Sequence, residues 1–234
     1  MTIFLLTGDS SGFPPPRLAD PSGLLAVGGD LTVDRLVTAY QSGIFPWFSE
    51  GEPVLWWSPD PRLVLYPNEI KISASLRRVI NKRMFSVRFD TAFRDVITAC
   101  ATARRKGEGG TWITGGMIEA YCGLHEAGLA HSVEAWVGEE LAGGLYGVAM
   151  GRCFFGESMF TRASNAAKVA LVHLTAFLNS NGFQLIDCQT TTANLVRFGA
   201  REISRRRFLS ELTTAVAMPS IPGPWRFDPG SNRE

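Results

Sequence analysis

This chain of 234 residues has little charge of either sign to spare: 23 Lys and Arg oppose 22 Asp and Glu, a net charge of +1. A generally basic coat for nucleic acid is excluded, so any nucleic acid must be met by local patches and held modestly. Long apolar runs are missing, and none approaches the ~18 residues of a membrane span. The opening MTIFLLTGDSSG has four apolar residues together and no basic leader, so it does not read as a signal peptide. A cytoplasmic protein without membrane contact is expected. Cysteine is sparse: Cys100, Cys122, Cys153 and Cys188 form no CxxC pair, which leaves reduced, packed thiols as the expectation. His125, His131 and His173 show no HxxxH spacing, and no metal site is expected. Internal repeats and low-complexity tracts are lacking too.

What is present is a globular composition, 45% apolar and 19% charged, able to bury a core. The length is ~1.5 times the usual domain unit, which allows one large domain or two small ones. The first sixty-odd residues differ in texture, with three prolines at 14–16, Gly28-Gly29-Asp30 and Pro59-Asp60-Pro61. Trp47, Trp56 and Trp57 lie here, and Trp112 further on. One helix is legible, with Asp30 or Thr32 as N-cap, Leu36, Ala39 and Tyr40 inward, and Gly43 as the stop. We place a boundary near residues 60–66, dividing a small N-terminal domain (1–63) from a larger one (64–234).

Beyond residue 67 the pattern is mixed. Ile72 to Lys82 predicts a helix with a basic face. Thr114 is expected to cap another, with Met117, Tyr121 and Leu124 at i, i+4, i+7. Alternating stretches follow at Ser132–Val137, Leu141–Met150 and Cys153–Phe155, joined by short turns, which predicts an antiparallel meander. A helix from Ala166 to Leu178, a strand from Phe183 to Gln189, and a last helix capped by Ser204 and using Phe208, Leu212 and Val216 complete an α+β pattern.

Four features are able to carry chemistry. In FQLIDCQ (183–189), strand alternation puts Asp187 and Gln189 on one face, ~6.5 Å apart along the strand. A carboxylate continuing an apolar face must be hydrogen-bonded or it would neutralise. A strand end emerging into solvent and a polar site at the carboxyl end of a central strand both fit. In RCFFGESMF (152–160), Gly156 lets a backbone or ligand come close, and Glu157 follows at once; a paired buried Glu or the start of a loop both fit. Trp47 and Trp112, beside Pro, Gly and Thr, suit either a core or a stacking platform for a nucleobase. Basic clusters at Arg77-Arg78, Lys82-Arg83, Arg104-Arg105-Lys106 and Arg205-Arg206-Arg207 suit either phosphate contacts or solvated helix faces.

Together these stretches resemble the bacterial leucyl/phenylalanyl-tRNA–protein transferases. The matching text is FPPPRLADPSGLLAVGGDL (13–31), GIFPWF (43–48), VLWWSPDPRLVL (54–65), TWIT (111–114), AYCGLHEAGLAHSVEAW (120–136), GGLYGVAMG (143–151), FFGESMF (154–160) and LIDCQ (185–189). The resemblance spans about residues 13–209, and WWSPDPR, FFGESMF and LIDCQ are its most specific parts. It implies transfer of Leu, Phe or Met from a charged tRNA to the N-terminal Arg or Lys of a protein, creating a destabilising terminus for N-end-rule degradation. It also implies a GNAT-like acyltransferase core behind the small N-terminal domain, a monomer, and no cofactor or metal. By this resemblance Trp47 and Trp112 hold the 3′-terminal adenosine. Leu145, Gly156, Ser158, Met159, Leu174 and Ile186 surround the amino-acid pocket, and Glu157, Asp187 and Gln189 form the polar catalytic centre. The helix bearing Arg77, Arg78, Lys82 and Arg83 would meet the acceptor stem. Thr192 and Asn194 stand where the family commonly has Asn and His, Ala167 where it has Ser, and Ser204 where it has Pro.

An aminoacyl ester is already activated, and an α-amine of ordinary pKa ~7.7–8.0 is partly neutral near physiological pH. A strong base is therefore unnecessary. Gln189 is expected to orient the amine, Asp187 to polarise Gln189 or attract the nascent ammonium, and Glu157 to hold the amine or the basic acceptor side chain. Two other classes compete. A GNAT-like N-acyltransferase with an acyl-thioester donor should carry a pyrophosphate loop before a helix, which Arg162–Ala167 does not supply. A non-catalytic RNA-binding module leaves the polar centre unexplained.

Overall fold

Short strands near the start of the chain form a sheet of their own, and the long meander builds a second. The computed structural model describes residues 3–8, 12–103 and 112–226. The smaller sheet holds β1 (Phe4–Leu6), β2 (Leu24–Gly28), β3 (Phe45–Pro46) and β4 (Leu55–Trp57) in the order β1-β2-β4-β3, with α1 (Val33–Gln41) between β2 and β3. These four strands have two to five residues each. That is too short for alternation to show among Pro and Gly, and sequence reading found only the helix. Thr32 does occupy the N-cap, and Gly43 has φ +74 just past the end.

After α1 and β4, the chain enters the larger sheet at β5 (Arg62–Leu65). There follow α2 (Ala74–Asn81), β6 (Ser86–Phe89), α3 (Phe93–Thr102), α4 (Gly115–Glu126), β7 (Ala130–Val137), β8 (Glu140–Met150) and β9 (Cys153–Thr161). Last come α5 (Ala166–Ser180), β10 (Leu185–Gln189), α6 (Ala193–Arg197), β11 (Arg201–Ile203) and α7 (Arg205–Val216). The order is β11-β5-β10-β9-β8-β7-β6. β7, β8 and β9 form the expected antiparallel meander, and β10 runs parallel to β9. Parallel neighbours need a crossover, which α5 supplies. The molecule is α+β, with two sheets and seven α-helices among the described residues.

Several expectations shift. α2 begins at Ala74 because the Ser73 hydroxyl accepts the Leu76 N–H and caps it. β9 does not end at Phe155 but continues to Thr161 against the long β8. In α7 it is Ala215 that is buried, and Val216 lies at its edge. β5, β6, α3, α6 and β11 were not anticipated. Residues 62 and 63, assigned from the sequence to the N-terminal part, sit in a strand of the larger sheet.

Alternate residues of the central strands feed two apolar clusters, one on each face of the larger sheet. Tyr146, Val148, Phe155 and Leu185 join α1, α3, α4 and α7 in the first. Leu145, Phe154, Ile186 and Cys188 join α5 in the second. The first also takes in Leu25, Tyr40 and Trp56, so the smaller sheet and the larger one share a core. All four cysteines are buried thiols outside any disulfide. The Arg104-Arg105-Lys106 cluster and Thr111 lie outside the described residues.

Candidate functional site

Two adjacent parallel strands part company at the centre of the larger sheet. The pairing of β10 with β9 ends at Asp187 opposite Phe155, yet both strands run on. Past that point lies a cavity of about 550 Å³. Its floor is apolar, formed by Leu145, Phe154, Met159, Leu171, Leu174 and Ile186. Trp47 and Trp112 stand on its wall, with Gly156 and Ser158 alongside, and Glu157 and Gln189 provide its polar side. Trp47 is 45% exposed, with its ring tilted against Trp57 at 5.8 Å. An exposed indole held by a neighbour is shaped for stacking rather than for a core. Trp112 is half-buried.

The structure thus brings residues of FFGESMF and LIDCQ together with Trp47 and Trp112, with one exception. Asp187 does not line the cavity. Plain alternation put it on the same face as Gln189, but β10 bulges between them and Gln189 adopts φ +60. The bulge turns the Gln189 side chain across to β9. Asp187 instead faces the first core, fully buried, where Arg62 of β5 grips it in two places: Nε to Oδ1 at 2.8 Å and Nη2 to Oδ2 at 2.6 Å. The guanidinium lies between the rings of Phe45 and Phe208, at 4.8 and 4.5 Å, and Nη1 donates to the Gly43 carbonyl. Oδ1 of Asp187 also accepts the backbone N–H of Gln189 at 2.9 Å. The carboxylate therefore reaches Gln189 through its main chain, and the expected polarisation of the carboxamide is replaced by support of the bend beneath it.

Glu157 sits on a second bulge. Gly156 opposes Gly147 and Ser158 opposes Tyr146, which leaves Glu157 as the extra residue of β9. A Cβ at Gly147 would lie 2.2 Å from the Phe155 carbonyl oxygen, so only glycine permits this crowding. Oε1 of Glu157 accepts from Gln189 Nε2 at 2.8 Å, and Oε2 accepts from the Tyr121 hydroxyl at 3.2 Å. Tyr121 is in turn hydrogen-bonded to the Tyr40 hydroxyl. Burial lifts the Glu157 carboxyl to about 7, against hydrogen bonds from Tyr40, Gln189 and Tyr121 that pull it down, while the nearby Asp187 charge adds to the rise. Burial likewise pushes the Cys188 thiol up, so this wall residue is not a ready nucleophile.

Asn194 lies on the cavity wall, its Nδ2 3.9 Å from the Met159 sulfur. Arg77, Arg78, Lys82 and Arg83 are outside the cavity, on the exposed side of α2 and just after it, and α2 packs on α5. None of the four is ion-paired to a carboxylate among the described residues. The Arg205-Arg206-Arg207 cluster is partly committed elsewhere: Arg205 donates to the Ser58 carbonyl and Arg207 pairs with Glu211. No three His, Cys, Asp or Glu side chains converge as a metal site among the described residues. Sequence reasoning missed Arg62 as a partner of Asp187, and it placed Tyr40 and Tyr121 merely inward. Their aromatic bodies fit the helical period, and nothing local reveals that both hydroxyls meet a carboxylate.

A family model described as leucyl/phenylalanyl-tRNA protein transferase matches residues 64–213, and the model of that protein's N-terminal domain matches residues 29–60. The leucyl/phenylalanyl-tRNA–protein transferase of Syntrophobacter fumaroxidans is 63% identical, covering 92% of each chain. That of Myxococcus xanthus is 55% identical over 96% of this chain and 97% of the relative, and that of Nitrosomonas europaea 56% identical over 92% of each. Solved structures are distant. A functionally unknown conserved protein from Staphylococcus epidermidis aligns at 9% identity and TM-score 0.40, covering 77% of this chain and 68% of that one. L-PGS from Bacillus licheniformis aligns at 12% and 0.38, covering 72% and 54%. Likenesses this slight carry no argument. The sequence relatives do, and the chain belongs to the leucyl/phenylalanyl-tRNA–protein transferase family.

Proposed function

We propose that this protein moves a leucyl, phenylalanyl or methionyl group from charged tRNA to the N-terminal Arg or Lys of an acceptor protein, marking it for N-end-rule degradation. The observation that carries this is the cavity, which joins an apolar floor, two tryptophans and the Glu157–Gln189 pair. The floor suits an unbranched or aromatic apolar side chain. The indoles suit the terminal adenosine, since base–aromatic stacking contributes ~1–3 kcal/mol per base. Glu157 is the carboxylate on the wall, suited to a cationic acceptor terminus.

The parting of β9 and β10 beside the cavity supports a GNAT-like acyltransferase core. The exposed Arg77, Arg78, Lys82 and Arg83, none ion-paired to a carboxylate among the described residues, support a role for α2 against the acceptor stem.

In the transfer, the acceptor amine nitrogen attacks the ester carbonyl carbon. The new amide C–N bond forms as the C–O bond to the terminal ribose breaks, and the proton lost by nitrogen ends on the departing ribose oxygen. With its Nε2 committed to Glu157, Gln189 offers its carbonyl oxygen to the amine and so aligns it. Asp187 acts one step back, as a positioning residue.

The experiment is transfer of labelled Leu from charged tRNA to an Arg-initiated peptide, with acetyl-CoA as the competing donor. Labelled product from the tRNA and none from acetyl-CoA is the expected result. Acetylation alone would overturn the reading.

A further inference from the structure

Four polar side chains from four elements form one buried line behind the cavity: Tyr40 of α1, Tyr121 of α4, Glu157 of β9 and Gln189 of β10. Both tyrosines are fully buried, and neither lines the cavity. An apolar core position usually takes Phe, because a buried hydroxyl must be matched. Here two hydroxyls are matched to each other and to one carboxylate. We infer that Tyr40 and Tyr121 are positioning residues for the transfer, holding Glu157 as an acceptor so that the Gln189 carboxamide keeps one orientation toward the substrate amine.

The proton count shows why. A hydroxyl offers one proton, and an ionised carboxylate only accepts. Tyr40 donating to Tyr121, Tyr121 to Oε2, and Gln189 Nε2 to Oε1 satisfies every group. This arrangement leaves the Gln189 carbonyl oxygen for the amine. A protonated Glu157 must itself donate, either to Gln189, whose amide then turns over, or to Tyr121, which reverses the line. The carboxamide is thus a two-way element, biased by the hydroxyls. Among the described residues, the charged group that acts on the Glu157 carboxyl is Asp187 of β10, itself held by Arg62 of β5. The other titratable neighbours are Tyr40 of α1, Tyr121 of α4, Tyr146 of β8, which packs on Tyr121, and Cys188 of β10 on the cavity wall. Hydrogen bonds from Tyr40 and Tyr121 oppose the burial that raises the Glu157 carboxyl. Tyr40 lies in the stretch matched by the N-terminal family model, so that part of the chain also completes the site.

This inference rests on the transfer reading, and the two fail differently. The Glu157 carboxyl is titrated in the full-length protein by infrared difference against Glu157→Gln, with no tRNA present. Its midpoint should rise by ~1 pH unit in Tyr121→Phe and in Tyr40→Phe. Single-turnover transfer is then measured as the ratio of each variant to the wild type, in which titration of the acceptor amine cancels. The ratio should lie ~10-fold down below the wild-type midpoint, climb through the window between the two midpoints and reach its full value above it, whereas a merely structural defect lowers it at every pH. Tyr121→Phe should add nothing once Glu157 is Gln. A Glu157 midpoint unmoved in both variants, or a moved midpoint with a flat ratio, overturns the inference. A wild type that transfers nothing defeats the function reading instead, and the infrared titration still decides what the hydroxyls do.

Discussion

At position 157 a carboxyl is held at about 7, against 4.5 for the free side chain, chiefly by burial. Between those values the folded protein keeps a proton that the unfolded chain has released. Stability therefore falls as pH rises through that window and is unaffected by this group below it. The full loss above pH 7 is about 3 kcal/mol. Glu157→Gln removes the charge, so the variant should match the wild type near pH 4 and exceed it at pH 8, as read from urea unfolding at the two pH values. Asp187 is a different case, because Arg62 matches its charge. Asp187→Asn leaves the Arg62 guanidinium buried without its counter-charge, and breaking such a pair costs ~3–5 kcal/mol. The variant should lose stability and transfer rate together. A stable, slow Asp187→Asn protein would mean that the carboxylate acts on the chemistry directly.

Strands β9 and β10 differ from regular strands by one bulge each, and these irregularities make the site. Without them Glu157 would pair squarely against β8, and Gln189 would point where Asp187 points. Gly147→Ala forces a methyl onto the Phe155 carbonyl and the Phe154 ring. Thermal unfolding should show a loss of ~1–3 kcal/mol, with transfer falling further than stability explains as Glu157 moves. An alanine variant of full stability and activity would show that β8 can yield there. The same elements show what was legible beforehand. Thr114 as N-cap, Met117, Tyr121 and Leu124 inward on α4, and the β7–β9 meander follow from caps, periods and turns within a few residues of each other. Strands of two to five residues, such as β3 and β4, carry too few side chains for any period, and their pairing is decided by distant partners.

On the scale of the molecule, charge is balanced and local. With a net charge of +1, any tRNA is met by patches such as Arg77, Arg78, Lys82 and Arg83 on α2 and the turn after it. Binding of tRNA should weaken only modestly with salt. Arg77→Ala and Lys82→Ala should each lower affinity and flatten the salt dependence by about one contact, leaving the preference among Leu, Phe and Met unchanged. A wholly salt-independent affinity would remove α2 from the interface. The smaller sheet is no separate appendage in this respect. Phe45 packs on Arg62 and also lines the cavity, and Tyr40 reaches the Glu157 line, so residues far ahead of β9 complete the site.

The amino-acid sequence by itself determined the helices with strong caps, the alternation of the meander, and, through motif likeness, about half of the residues that line the cavity. Such signals are local: a cap acts over three residues and a period over a dozen. Tertiary structure alone decided which way Gln189 turns, because a bulge and a left-handed backbone break the alternation from which a face is read. It alone joined Arg62 to Asp187, 125 positions apart, and two tyrosine hydroxyls to one glutamate. Pairings between distant residues leave no period along the chain, since they arise only where the packing of whole elements buries a charge or a hydroxyl and requires a partner for it.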